Sequence, residues 1–189
     1  AAARLLLFAA RDVWFVVALP VFLAQSLGWG HAATGAFMAA WVVGYGVVQA
    51  LAPTVTSRGS GRAPDGRSAV RLALTVALVP AVMAVALSMH LTAQVVVVAG
   101  LTAFALVFAL NSAMHSYLIV HAAQREAVSV DVGFYYMANA IGRLLGTLLS
   151  GALFAAYGQG VAGLIACLVV SALLLLAAAG CSLRLPRVA

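Results

Sequence analysis

The chain has 189 residues, of which 66% are hydrophobic and 7% are charged. Its mean hydropathy of +1.14 excludes an ordinary soluble domain and is typical of an α-helical protein with several membrane spans. All ten basic residues are arginine, and they stand against four acids. Because most of these arginines lie between long apolar runs, the basic balance indicates membrane orientation and no nucleic-acid partner.

Six apolar stretches are long enough to cross a bilayer as helices. The connections between them lie at Gly28–Gly30, Thr56–Arg71, His90–Ala93, His121–Asp131 and Gly158–Gly160. The sequence therefore predicts one all-α membrane domain over residues 1–189, surrounded by a lipid bilayer. Its spans are expected at about 4–27, 32–55, 70–89, 94–117, 132–157 and 161–181. Because the chain begins with Ala1 and not with Met, we expect it to be part of a longer protein.

The arginines predict the orientation of the six spans. They cluster at the start of the chain, in the second and fourth connections and in the tail, whereas the other three connections contain none. Since positively charged loops stay on the cytoplasmic side, both termini are expected in the cytoplasm, which agrees with an even number of spans. The arginines that support this orientation are Arg4, Arg58, Arg62, Arg67, Arg71, Arg125, Arg184 and Arg187.

Polar residues inside the spans are unevenly distributed. Spans one, two, four and five carry them at mid-depth, whereas spans three and six carry little beyond Ser or Thr. The order polar, polar, apolar thus occurs twice, which predicts two three-helix repeats with the third helix of each on the outside. This arrangement is the 3+3 inverted repeat of a major-facilitator half bundle. The polar residues concerned are Arg11, Asp12, Gln49, Asn111, His115, Asn139 and Arg143.

The fifth span contains the strongest functional candidate, Arg143, near its middle. An arginine at that depth costs at least about 2.5 kcal/mol, so it usually faces a protein interior or a water-filled path. Its guanidinium group fits phosphate, arsenate or carboxylate bidentately, so the sequence predicts a small anionic substrate. The alternative is a structural ion pair with Asp12, or hydrogen bonds to carbonyls of a neighbouring helix. Tyr136, Asn139, Thr147 and Ser150 share the face of Arg143, whereas Phe134, Ile141, Leu145 and Leu148 lie opposite.

Two further spans contribute candidates for the same site. Asn111 and His115 lie one helical turn apart and can bind a common partner, either a substrate or a neighbouring helix. Asp12 is the one carboxylate that the pattern places inside a span, and a buried carboxylate is what proton coupling requires. Arg11 lies about 100° from Asp12 on a helix, so we expect it to turn away, towards the headgroups.

Other features of the sequence have structural explanations. Gly142, Gly146 and Ser150 form a run of small residues that lets another helix approach closely. Cys167 and Cys181 lie roughly 21 Å apart along one helix, too far for a disulfide. The sequence contains no cluster of metal ligands and no catalytic motif. We therefore predict no metal, no cofactor and no enzymatic activity.

Three blocks of the sequence are more specific than the glycines of a generic transporter. They are Arg11–Pro20 (RDVWFVVALP), Asn111–Ile119 (NSAMHSYLI) and Val132–Gly146 (VGFYYMANAIGRLLG). These blocks resemble the organoarsenical efflux permeases of the major facilitator superfamily. The resemblance implies the carboxyl-terminal half of a roughly twelve-span exporter in the bacterial inner membrane, with an amino-terminal six-helix half as its missing partner. It also implies the substrate 1-arseno-3-phosphoglycerate, and it adds no binding residue to the candidates above. The competing expectation is a non-transporting six-span subunit, or a truncated remnant, that binds a partner helix bundle.

Overall fold

The computed structural model describes the backbone of residues 2–60, 66–122 and 128–183, and the side chains of residues 2–52, 67–118, 130 and 132–183. The described residues form seven α-helices and no strand. The helices are α1 (Ala2–Phe15), α2 (Ala18–Gln25), α3 (His31–Ser60), α4 (Gly66–Ser88), α5 (Ala93–Ala122), α6 (Val128–Ala156) and α7 (Val161–Ser182).

Six helical segments of this part of the chain are long and apolar enough to cross a membrane. The prediction of an all-helical chain with six candidate spans is therefore confirmed for the described residues. Helices α1 and α2 together form the first candidate span, and each later helix contains one. The segments are Ala2–Gln25, His31–Ala52, Arg67–Ser88, Ala93–Leu118, Val132–Ala156 and Val161–Ser182.

The polar connection predicted from Thr56 to Arg71 is mostly helical. Helix α3 continues to Ser60 and α4 begins at Gly66. Outside the hydrocarbon layer a helix needs no apolar side chains, so hydropathy marks where the chain leaves the membrane and not where the helix ends. Arg67 and Arg71 are exposed at the start of α4. Arg62, Arg125, Arg184 and Arg187, and the side chain of Arg58, lie outside the described residues.

The first span is interrupted between Phe15 and Ala18. Pro20 explains the interruption because its ring has no N–H to donate to the carbonyl of Val16 and clashes with that carbonyl. The backbone N–H of Ala18 donates instead to the Oγ of Ser150 on α6, at 3.0 Å. Ser150 of the fifth span thus provides an acceptor for the backbone N–H of Ala18, which has no acceptor within its own helix.

The helices pack around α1. Helix α1 contacts α6 and α7, α5 contacts α3 and α4, and α4 contacts α7. The apolar core contains Trp14, whose ring meets that of Phe104 edge-on at 5.2 Å between centroids. The third and sixth spans, expected on the outside, pack against each other. The second span, in α3, is the most exposed, with only 6% of its residues buried.

The close contact between α1 and α6 depends on two glycines. A Cβ atom at Gly142 would collide with the backbone carbonyl of Leu5, and one at Gly146 would lie 2.6 Å from the carbonyl oxygen of Ala9. No real Cβ atom tolerates such distances, so only glycine allows the two backbones this approach. The predicted packing role of these glycines is therefore confirmed.

Candidate functional site

The side chain of Asp12 lies between two guanidinium groups. It is buried on α1, and its Oδ1 accepts a hydrogen bond from Nε of Arg11 at 2.6 Å. Its Oδ2 accepts a second bond from Nε of Arg143 on α6, at 3.2 Å. One carboxylate thus neutralises part of the charge of two arginines from different spans. We call Arg11, Asp12 and Arg143 the central charge cluster.

The expectation that Arg11 turns away from Asp12 is wrong. The guanidinium group sits at the end of a long side chain, so it can bend across the 100° that separates the two positions on the helix. The side chain is only 12% exposed. Its guanidinium carbon lies 4.9 Å from the ring centroid of Phe8 and 5.7 Å from that of Phe108. Cation–π contacts and the bond to Asp12 hold Arg11 inside the bundle.

Arg143 combines an ion pair with an open position. Its bond to Asp12 is the structural pairing that the sequence offered as an alternative. Even so, 58% of its side chain is exposed, on a side of α6 that the described helices leave uncovered. Because only Nε of Arg143 makes the bond to Asp12, the outer part of the guanidinium group remains at the surface of the bundle. Arg143 can therefore be held by Asp12 and still meet a further anion.

The other α6 candidates lie beside Arg143 without forming one enclosed pocket. Tyr136 is 63% exposed and contacts the ring of Tyr135 edge-on at 5.6 Å between centroids. Asn139 is half-buried, and its Oδ1 has no hydrogen-bond partner among the described residues. Thr147 donates to the carbonyl of Arg143 at 2.9 Å, so its hydroxyl serves its own helix.

A second basic group, around Arg4, was missed in the sequence. Arg4 was assigned to membrane orientation, but it is 6% exposed. Its Nη1 donates to the backbone oxygen of Ser112 at 3.1 Å and to the Oγ of Ser112 at 2.9 Å. Its guanidinium carbon lies 4.1 Å from the ring centroid of Phe8 and 4.6 Å from that of Tyr135. The spacing of Arg4, Phe8 and Arg11 along one helical face is the signal that could have revealed it.

Asn111 and His115 flank Ser112 on α5 and are buried. Both Nδ2 and Oδ1 of Asn111 lack a hydrogen-bond partner among the described residues, and so does Nε2 of His115. The interhelical hydrogen bonds that the sequence offered as an alternative role are therefore not seen for these three atoms. Buried polar atoms in folded proteins nearly always have partners, so these atoms point to a ligand or to water.

The two basic groups share one aromatic side chain, Phe8. The guanidinium carbons of Arg4 and Arg11 lie 4.1 and 4.9 Å from its centroid, so they are at most about 9 Å apart, the sum of the two distances. Phe108 meets Phe8 edge-on at 5.6 Å, and Tyr45 of α3 follows at 5.8 Å from Phe108. Aromatic rings of α1, α3 and α5 thus line the space around both arginines.

Comparisons with protein-family models, curated proteins and solved structures find no match for this chain. The charges and contacts of the residues in the site therefore indicate which ligand they suit. Arg4, Arg11 and Arg143 stand against the single carboxylate of Asp12, which leaves an excess of two positive charges. Among the described residues no group of three or more His, Cys, Asp or Glu side chains could hold a metal ion. The arrangement is suited to attract an anion.

Proposed function

We propose that this chain is one six-helix half of a secondary active transporter that exports an organic anion by alternating access. The observation that carries the proposal is the central charge cluster, in which the half-exposed side chain of Arg143 is bound to the buried carboxylate of Asp12. Asp12 lies near the middle of the candidate span Ala2–Gln25, and Arg143 lies near the middle of Val132–Ala156. Ionisable groups at this depth commonly mark the path of a substrate or an ion.

The charge balance supports an anion as the cargo. Two uncompensated positive charges in a medium of low dielectric are costly unless another charge joins them. A phosphate, arsenate or carboxylate group supplies that charge and accepts bidentate hydrogen bonds from a guanidinium fork. Arg143 offers such a fork on the uncovered side of α6, with Asn139 and Tyr136 beside it. We propose these three residues, together with Asn111 and His115, as the substrate-binding set.

The pattern of helix contacts supports a major-facilitator half bundle with a 3+3 repeat. Exchanging spans one and four, two and five, and three and six turns the α1–α6 contact into the α5–α3 contact. The same exchange turns the α1–α7 contact into the α5–α4 contact and returns the α4–α7 contact to itself. Two three-helix repeats related by a two-fold axis would produce these three correspondences, whereas the α6–α7 contact has no comparable counterpart between the described parts of α3 and α4.

Asp12 is the proposed proton-coupling residue. Its carboxylate and the anion compete for the same guanidinium group of Arg143. Arrival of the anion at Arg143 would therefore leave Oδ2 of Asp12 without its partner, and this exchange is the proposed link between the substrate and a proton.

The resemblance to organoarsenical efflux permeases narrows the proposed substrate. On that basis the cargo is an arsenate ester such as 1-arseno-3-phosphoglycerate, which glyceraldehyde-3-phosphate dehydrogenase forms from arsenate. It carries phosphate, arsenate and carboxylate groups, which suit the excess of positive charge. The corresponding location is the bacterial inner membrane with both termini in the cytoplasm, and the partner is an amino-terminal six-helix half.

A second candidate function is a non-transporting six-span subunit that binds a partner helix bundle. The observation that favours it is the exposed second span, in which Val42, Val43 and Val47 are more than half exposed. A half transporter would also expose this span towards its other half. A measurement of transport distinguishes the half transporter from the non-transporting subunit.

The test uses everted membrane vesicles from cells that make the natural protein. Energised vesicles supplied with arsenate, glyceraldehyde-3-phosphate dehydrogenase and its substrates should accumulate arsenic, and a protonophore should abolish the accumulation. Vesicles lacking either the dehydrogenase or the transporter serve as controls. Accumulation no higher than in vesicles without the protein would contradict the proposal and favour the non-transporting subunit.

A further inference from the structure

We propose that Arg4, Asn111 and His115 form a second oxyanion-binding subsite, separate from the central charge cluster. The ligand class is a phosphate-type oxyanion that carries at least one hydroxyl. As a subsite for one group of the transported anion it rests on the proposed function, whereas oxyanion binding itself does not.

Arg4 is a buried cation without a carboxylate partner in the described part of the chain. The ion pairs seen there all involve Asp12, which is already bound to Arg11 and Arg143. Burying a charge is costly unless it is paired, and an anion is the natural counter-ion. A bound oxyanion would supply the missing negative charge.

Unpartnered polar atoms belong to Arg4 and to Asn111 and His115, which lie near its partner Ser112 on α5, and they match an oxyanion in number and kind. Nε of Arg4 and Nδ2 of Asn111 are donors, and Nε2 of His115 is a donor in one tautomer or when protonated. All three are buried without a hydrogen-bond partner among the described residues. A buried polar atom without a partner destabilises the fold, so three such atoms on neighbouring residues would be unfavourable if nothing ever bound there.

The acceptor of Asn111 specifies the ligand further. Its Oδ1 is buried and lacks a partner, like its Nδ2, so exchanging the two atoms of the amide changes nothing. An acceptor requires a ligand that donates a hydrogen. Hydrogen phosphate has both acceptor oxygens and a hydroxyl, whereas an ionised carboxylate has no hydrogen to donate. The set therefore favours a phosphate-type group over a carboxylate.

The contacts that Arg4 already makes do not replace such a ligand. The rings of Phe8 and Tyr135 stabilise the charge by cation–π contacts, and Ser112 accepts from Nη1. These contacts involve the faces and one end of the guanidinium group, and Nε stays unpartnered. If Arg4 had only a structural role, its contacts with the rings and with Ser112 would be explained. The unpartnered atoms of Asn111 and His115 would not be explained.

The test measures binding of inorganic phosphate to the purified protein in nanodiscs, by isothermal titration calorimetry. The natural protein should bind phosphate saturably. Arg4→Gln should weaken binding at least about tenfold, since it removes a charged partner of the anion. The matched control is Arg71→Gln, which removes one exposed positive charge at the start of α4 and should leave binding within about twofold.

A second variant guards against loss of folding in Arg4→Gln. Asn111→Leu removes two polar atoms that have no partner, so it should leave the fold at least as stable, and circular dichroism checks this. It should also weaken phosphate binding at least about tenfold. Absence of saturable binding to the natural protein, or natural affinity in a folded Asn111→Leu or Arg4→Gln protein, would overturn the subsite.

Two further arms separate the subsite from the proposed function and identify the source of the oxyanion. Phosphate binding by a protein that fails to transport in everted vesicles would refute the transporter and retain the subsite. Nanodiscs of phosphatidylglycerol in place of phosphatidylcholine offer a net anionic headgroup with free hydroxyls that can compete with free phosphate. Weaker phosphate binding in phosphatidylglycerol would assign the subsite to a lipid headgroup, and equal binding would assign it to a soluble anion.

Discussion

At the scale of single residues, the site depends on how one carboxylate is shared. Arg11 is almost buried with Asp12, whereas Arg143 reaches the same carboxylate from the uncovered side of α6. The sequence identified Asp12 and Arg143 because charges inside apolar runs are conspicuous. It did not identify the positions of Arg11 and Arg4, because a long side chain in the first half of a span can turn either inwards or outwards. Only the rings of neighbouring helices decide between those directions.

Because Arg11 is almost buried and Arg143 is exposed, removing Asp12 and removing Arg143 should lower the free energy of unfolding by different amounts. Asp12→Ala leaves Arg11 buried without a partner and should destabilise the protein by about 3–5 kcal/mol. Arg143→Ala removes an exposed partner and should cost at most about 1 kcal/mol. Reversible unfolding in mixed micelles, followed by circular dichroism, measures both values. Equal costs for the two variants would contradict the assignment of Arg11 as the buried partner.

At the scale of helices, the contact between α1 and α6 fixes the geometry of the central charge cluster. Its small-residue stripe could be predicted from the sequence, because the spacing of Gly142, Gly146 and Ser150 places them on one face. The interruption of the first span was not predicted, although Pro20 is visible in the sequence. A proline inside an apolar run either kinks a helix or interrupts it, and a partner such as Ser150 on another helix influences which occurs.

A methyl group at Gly146 tests the α1–α6 contact. Gly146→Ala should destabilise the protein by about 1–3 kcal/mol, because its Cβ would meet the carbonyl of Ala9. Gly133→Ala on the same helix is the matched control, since a Cβ there meets nothing within 4 Å. It should be neutral or stabilising by up to about 1 kcal/mol, as alanine favours helices. Similar unfolding free energies for the two variants would exclude a close backbone contact at Gly146.

The hydroxyl group of Ser150 tests the interruption of the first span. Ser150→Ala leaves the buried N–H of Ala18 without its acceptor and should cost about 1–3 kcal/mol. Thr147→Ala is the control, because the hydroxyl of Thr147 donates only to a carbonyl of its own helix in the bonds seen here. Its cost should stay below about 0.5 kcal/mol. If both variants unfold at the same denaturant concentration, Ser150 does not stabilise the interruption.

At the scale of the whole molecule, hydropathy was sufficient to predict an all-helical chain with six candidate spans. The helix ends beyond the membrane could not be predicted from it, because polar residues continue a helix in water as readily as they end it. The order of the contacts between helices follows from side-chain packing, of which the sequence shows only the small-residue stripes. The proposed second bundle would cover the exposed residues of α3 and the open position at Arg143.

The predicted orientation can be measured with single cysteines. After replacement of Cys167 and Cys181 by alanine, Gln159→Cys should react with a membrane-impermeant maleimide in intact cells. Leu183→Cys, which lies at the other end of α7, should react only after the membrane is permeabilised. Both native positions are exposed, so accessibility within the protein is matched. Labelling of Leu183→Cys in intact cells would contradict cytoplasmic termini.

Arg143→Ala in everted vesicles tests whether the guanidinium group of Arg143, near the middle of its span, binds the transported anion. We predict uptake of the arsenate ester at least about tenfold below that of the natural protein, with the same amount of protein inserted in the membrane. Arg71→Ala, which removes an exposed arginine of α4, should transport like the natural protein. Uptake by Arg143→Ala within about twofold of the natural protein would contradict the account.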